Sequence, residues 1–327
     1  MSLSSKLMNK FLAFTKLIRF KNLIMIALIQ VLIKYTLINV YLDNFTLNNI
    51  RFSFYLIALI LIVAAGYIIN DIYDIETDKI NKKENQIIGN SISSKSAFIY
   101  YYLLNFIGVL FGFYIALSIG KTAFGFIFIF FAFSLWRYSK QHKTSFATGN
   151  FQVAFLTALS IINLILFDLV PIRINNENGS LMISKIIMFY AGFSFITTLI
   201  REIVKDIEDL EGDQKINAKT LAITYGLKKS KNIVIGLTSA TIICIAYFQY
   251  FRYSVISTQF EHEISIWGVN DISIIYTLFL QGLFLFFIYK TFKAINKEDF
   301  HFLSMLSKII MLVGILSIPV FTLLHQN

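Results

Sequence analysis

The chain alternates long apolar runs with short polar ones. Nine runs are long enough to cross a membrane, near residues 17–41, 53–71, 97–119, 122–138, 149–170, 182–201, 232–251, 271–290 and 303–324. A hydrocarbon core of about 30 Å needs roughly 20 apolar residues per helical span, and these runs supply that length. Only Pro171 and Pro319 interrupt the chain, which favours long unbroken helices. The pattern predicts an all-α integral membrane protein, a bundle of about nine transmembrane helices in a single domain over residues 1–327. Residues 1–16 carry lysines but no short apolar core ending in a small-residue cleavage site, so no signal peptide is expected.

Composition agrees. Of 327 residues, 57% are hydrophobic and only 15% charged, against about 45–50% and about 25% in soluble domains. The one cysteine, Cys244, can form no internal disulfide. The net charge of +10 is unevenly placed. Of 29 cations, 22 fall in the first 21 residues and in segments 71–96, 137–148, 201–231 and 290–301, all on one side of the predicted bundle. Lys34, Arg51, Lys121, Arg173, Lys185 and Arg252 count to the other side, and Lys308 lies inside the ninth run. The excess of Lys and Arg on cytoplasmic loops places the N-terminus inside and, with nine spans, the C-terminus outside. Because these cations flank spans instead of forming a stripe, nucleic acid is excluded as a partner. No protein partner is indicated.

The acids change the picture. Eleven of the 19 lie in two windows, 71–84 and 202–213, each starting where an apolar run ends on the inner side. Asp71, Asp74 and Asp78 fall at i, i+3 and i+7, and Asp206, Asp209 and Asp213 repeat that spacing 135 residues later. On a continuing α-helix such positions share a face, where three carboxylates repel one another unless a cation neutralises them. Oxygen ligands suit Mg²⁺, which takes one or two carboxylates together with substrate phosphates. The duplicated spacing points to two related halves whose acidic ends hold a diphosphate between them through Mg²⁺.

At these residues the sequence resembles the UbiA superfamily of intramembrane prenyltransferases. Asn70-Asp71-Ile72-Tyr73-Asp74-Ile75-Glu76-Thr77-Asp78 matches that family's N-D-x-x-D-x-x-x-D motif. Asp209 and Asp213 match its D-x-x-x-D motif, and Arg201-Glu202 with Lys205-Asp206 resembles an R-E-x-x-K-D variant. Tyr138-Ser139, Lys143 and Gly149-Asn150 resemble a stretch of its archaeal-type members. Leu17-Ile18-Arg19-Phe20-Lys21-Asn22 is similar to its first-helix pattern, with Phe20 where proline is common. One departure follows the first motif. Where the family has N-x-P-x-R-P, this chain has Asn81-Lys82-Lys83-Glu84-Asn85-Gln86, leaving Lys82, Lys83 or Lys95 to replace the arginine.

The resemblance implies transfer of a prenyl group from a prenyl diphosphate to a small acceptor, releasing diphosphate, with Mg²⁺ as cofactor and the bilayer as surroundings. It implies metal-binding and catalytic roles for Asp71, Asp74, Asp78, Asp206, Asp209 and Asp213, with Asn70 beside them. Lys143, Arg201 and Lys205 become diphosphate-binding candidates, and Arg137 a weaker one. Arg19, Asn22, Asn70, Tyr138 and Asn150 become acceptor-side candidates. The acceptor is an aromatic quinone precursor or a glycerol-phosphate-type lipid. A cation-coupled transporter is the alternative, since membrane acids mark ion pathways; it expects acids near the bilayer midplane and broken spans. A lipid phosphotransferase of the CDP-alcohol type would begin its signature D-G-x-x-A-R, which is missing here.

Overall fold

The structure, a computed structural model, describes residues 3–76, 86–142, 145–172, 177–215, 218–251 and 271–326. Among them, nine helices have the length and apolarity to span a membrane. A first helix, α1 (Leu3–Leu17), precedes them. The spans are α2 (Phe20–Tyr41), α3 (Asn49–Tyr73), α4 (Ser94–Ser118), α5 (Thr122–Gln141), α6 (Thr148–Ile172) and α7 (Gly179–Glu208). After the short α8 (Leu210–Lys215) come α9 (Leu221–Gln249), α10 (Asp271–Lys293) and α11 (Lys297–Leu324). Each expected run corresponds to one of these helices. The main difference at the ends is that α7 runs on to Glu208 and carries part of the second acidic motif.

The first expected run begins at residue 17, but the helix does not continue through it. Arg19 adopts left-handed backbone geometry at φ 50°, which separates α1 from α2. Phe20 is then the first residue of α2, the position where proline is well tolerated. α1 keeps Ala13 and Leu17 buried and exposes Met8, Phe11 and Leu12. Such exposed apolar side chains interleaved with lysines suit a helix lying in the membrane interface.

α3 packs closely on α4, and α7 sits between α6, α9 and α11. Helices in lipid associate through close packing at small residues. Gly108 and Gly112 supply this on α4: a Cβ at Gly112 would stand 2.3 Å from the Phe128 ring. Around it, Tyr55, Phe128 and Phe167 meet edge-on or tilted at 5.5 to 6.2 Å.

Lys34 does not belong to an outer loop, as its place in the charge count supposed. It lies inside α2 with its side chain 0% exposed, and its Nζ is 2.7 Å from Asp168 Oδ2 on α6, equally buried. Both residues sit in π-helical turns, Ile33–Ile38 and Ile165–Leu169. An isolated charge cannot stay in such an apolar region, so each is retained by its partner.

Candidate active site

Within the described residues, which stop at Glu76 in the first motif, the two acidic motifs leave a continuous helix at the same position. α3 stops at Tyr73, and Asp74 leaves helical geometry at φ −90°, ψ 3°. Its N–H still reaches Asn70 O at 3.0 Å. α7 stops at Glu208, the Asp209 N–H reaches Lys205 O at 2.9 Å, and α8 starts at Leu210. Each chain therefore turns at the middle aspartate of its triplet. The spacing i, i+3, i+7 is the same for an intact and a broken helix, so the turn was not readable from it.

These two ends face a chamber of about 470 Å³ between α2, α3, α5, α6, α7 and α11. One end is charged: Asn70, Asp74, Asp206, Asp209 and Asp213 line it, together with Arg19, Arg201, Lys205 and Lys308. The other end is apolar, with Ile29, Phe131, Leu156, Ile161, Phe193 and Ile315. Asn70 donates to Asp74 along α3. Asn150, at the start of α6, donates to Asp206 Oδ2 at 2.7 Å, tying α6 to the second motif. Tyr138, which begins a π turn at the end of α5, also lines the chamber.

Asp71 departs from the expected grouping. It pairs with Arg19 at 2.9 Å and lines a neighbouring chamber instead of the one that holds Asp74. The cause is the left-handed turn that brings Arg19 to α3. The guanidinium also lies 4.8 Å from the Tyr67 ring centre, and Asn22 Nδ2 donates to the Tyr67 hydroxyl at 3.4 Å. Burial works against the Arg19 charge, but Asp71, Tyr67 and Asp74 outweigh it and hold the group above its ordinary pKa. Ala147, the other described non-glycine residue with positive φ, likewise stands three residues before a site residue, Asn150. Strained backbone of this kind persists where surroundings over-determine it, and it clusters at functional sites.

Arg201 and Lys205 both pair with Glu202, at 2.7 and 3.4 Å. Arg201 keeps a buried Nε with no hydrogen-bond partner among the described residues, a donor beside the chamber. Arg137 is exposed and lines neither chamber, and the same holds for Lys95. Asp78, Lys82, Lys83 and Lys143 lie outside the described residues. Three lining residues escaped sequence reasoning as site candidates. Glu202 stands one helical turn before Asp206. Lys308 is a lone cation inside an apolar span, a signal that was available. Tyr67 carried no signal among 17 tyrosines.

Among the described residues no three His, Cys, Asp or Glu side chains converge closely enough to enclose a metal by themselves. The donor set is nonetheless all oxygen and split between two walls. That suits a hard cation completing its shell with phosphate oxygens, and the buried Arg201 donor suits the same anion.

A sequence profile described as the UbiA prenyltransferase family matches residues 35–306. The chain belongs to that family. It is a prenyltransferase built as an all-helical, multi-pass membrane protein. Among relatives of this UbiA chain, the digeranylgeranylglyceryl phosphate synthase of Methanosphaera stadtmanae is 31% identical over 260 residues, 77% of this chain and 81% of the relative. The protein of that name from Saccharolobus solfataricus is 40% identical over 176 residues, 53% and 56% of the two chains. A solved structure concerning digeranylgeranylglyceryl phosphate synthase covers 96% of this chain and 98% of its own, at 25% identity and TM-score 0.60. A UbiA homolog from Archaeoglobus fulgidus bound to GPP and Mg²⁺ shares the fold at 14% identity, TM-score 0.52, covering 94% and 99%.

Proposed function

We propose that this chain is a Mg²⁺-dependent prenyltransferase that alkylates a glycerol-phosphate-type acceptor, as the names of its relatives suggest. One observation carries the reading: a single chamber joins an acidic and basic end to an apolar end. From Asn22 to Ile29, α2 lines it over about 10 Å of helical rise. An isoprene unit, with four chain bonds of about 1.5 Å, extends about 5 Å, so about two units lie along this wall before the chain must bend.

In the reaction the C1–O bond of the allylic diphosphate breaks and diphosphate leaves with the electron pair. The acceptor hydroxyl oxygen bonds to C1, and its proton passes to a diphosphate oxygen. When bound, Mg²⁺ supplies charge neutralisation of the leaving group and a template for it. Asp74, with Asn70 fixing it, and Asp206, Asp209 and Asp213 on the facing wall are the residues that would hold that ion. Asn150 orients Asp206. Arg201 and Lys205, kept in position by Glu202, stabilise negative charge as it develops on the leaving oxygens. The apolar walls keep water from the allylic cation.

The cation bias supports a cytoplasmic site with the N-terminus inside, and burying Lys34 removes one cation from the opposing count. The transporter reading is disfavoured, because the acids stand at helix ends and not at mid-span.

The test is the purified protein with labelled geranylgeranyl diphosphate and either a prenylglycerol phosphate or an aromatic acid as acceptor. Product formation with the glycerol phosphate, abolished by EDTA, is expected. Diphosphate release and alkylation only with the aromatic acid would refute the proposed acceptor.

A further inference from the structure

The apolar end of the chamber is backed by polar side chains. Ile29 on α2 and Ile161 on α6 line that end, and so does Ser160. One residue past Ile29, Gln30 is 0% exposed, and its Nε2 donates to Ser160 O at 2.9 Å, which staples α2 to α6 behind the chamber. Asn163, nearly one turn beyond Ser160, is also 0% exposed, and Tyr55 comes beside it from α3. Gln30 Oε1, the Tyr55 hydroxyl and both polar atoms of the Asn163 side chain have no hydrogen-bond partner among the described residues. About one turn further out, Lys34 and Asp168 pair with each other.

This layer stands where a bound prenyl chain would go if it ran straight on from the charged end. The proposed metal and diphosphate contacts use none of Gln30, Tyr55 or Asn163. Buried polar atoms are satisfied by protein or by water, and a hydrocarbon chain offers them neither. A chain end pushed between Gln30 and Asn163 would break the Gln30–Ser160 bond and shut four uncommitted polar atoms away from water. A chain that stays short of the layer avoids both losses, because Ile29, Ile161, Phe193 and Ile315 give it an apolar floor to turn along.

Resting on the prenyl diphosphate donor proposed above, we infer that Gln30 and Asn163 form a polar stop that sets the longest donor the chamber accepts. About two isoprene units run along α2 from Asn22 to Ile29. There the chain turns. Neighbouring helix axes stand about 8–10 Å apart, so the floor takes about two units more. A twenty-carbon donor therefore fills the chamber, and a thirty-carbon donor has two units with no place in it. The limit comes from polarity and not from bulk, so a small polar residue keeps it and a small apolar residue removes it.

The experiment measures displacement of labelled geranyl diphosphate from the full chain in phosphatidylcholine nanodiscs with Mg²⁺, donor concentrations being expressed per lipid. In the parent chain the thirty-carbon diphosphate should bind at least tenfold weaker than the twenty-carbon one. In Gln30→Ala/Asn163→Ala that gap should close to within threefold. The single variants Gln30→Ala and Asn163→Ala, which disturb the fold less, should each narrow it at least twofold. Gln30→Ser/Asn163→Ser frees almost the same space but keeps a hydroxyl at each position, and it should retain the tenfold gap. The inference is overturned if the parent chain binds both lengths alike, or if the alanine variants bind geranyl diphosphate yet keep the gap. It is also overturned if the serine variant closes the gap as the alanine variant does, since bulk would then set the limit. Each of these results leaves the proposed function standing, whereas failure of all three donor lengths to bind in Mg²⁺ would overturn that function and the stop together.

Discussion

Replacing Lys34 by methionine isolates the energetics of one buried ion pair. Lys34 Nζ meets Asp168 Oδ2 at 2.7 Å with both side chains 0% exposed. Asp168 Oδ1 accepts the Leu47 N–H at 2.7 Å, and its main-chain oxygen accepts the Thr46 hydroxyl at 2.9 Å. Methionine preserves the length and volume of the lysine stem but leaves one carboxylate oxygen charged and unpartnered in an apolar interior. Removing one member of such a pair costs about 3–5 kcal/mol, whereas replacing both by apolar groups is often neutral or stabilising by about 1–4 kcal/mol. In Lys34→Met/Asp168→Leu that gain is offset by the orphaned Leu47 N–H, a loss of about 1–3 kcal/mol. Each single variant should therefore be several kcal/mol less stable, with the double variant close to the parent. The assay is sodium dodecyl sulfate unfolding of the full chain in mixed micelles, followed by circular dichroism. Single losses below about 1 kcal/mol that simply add in the double variant would refute a dry, coupled pair.

Asp74→Ala and Asp209→Ala should each lower diphosphate release at least about 100-fold, the size seen when one group stabilising developing charge is lost, while circular dichroism stays unchanged. Ile29→Trp shortens the apolar wall of the chamber, so competition between ten-carbon and twenty-carbon diphosphates should shift towards the shorter donor; equal shifts in both would show that Ile29 does not touch the chain. Gly112→Val places a Cβ 2.3 Å from the Phe128 ring, and overpacking of that kind costs about 1–3 kcal/mol, to be read as a lowered thermal midpoint in detergent.

Much of the fold was legible because a membrane span is a composition signal. All nine runs became helices, and the second acidic window fell where α7 ends. What stayed hidden depends on contacts between distant segments. Lys34 and Asp168 are 134 residues apart, and only their opposite signs inside two apolar runs hinted at a pair. The separation of Asp71 from Asp74 required the left-handed turn at Arg19, and arginine carries no propensity for it. The charged end around Lys308 needed three helices to converge. Each lining residue was visible as a charged letter; which chamber it faced was not.

The way α3 and α7 stop has an electrostatic consequence. The last carbonyls of a helix carry partial negative charge, about half an electron in sum. Two such termini meet at one rim, where aspartates already stand. A naked diphosphate approaching that rim is repelled by the backbone and by the aspartates, and only the neighbouring Arg19, Arg201, Lys205 and Lys308 draw it in. A donor that arrives already complexed to its cations is attracted by both. The stopping points of two helices thus bias the order of assembly, so that metal and donor enter as one species.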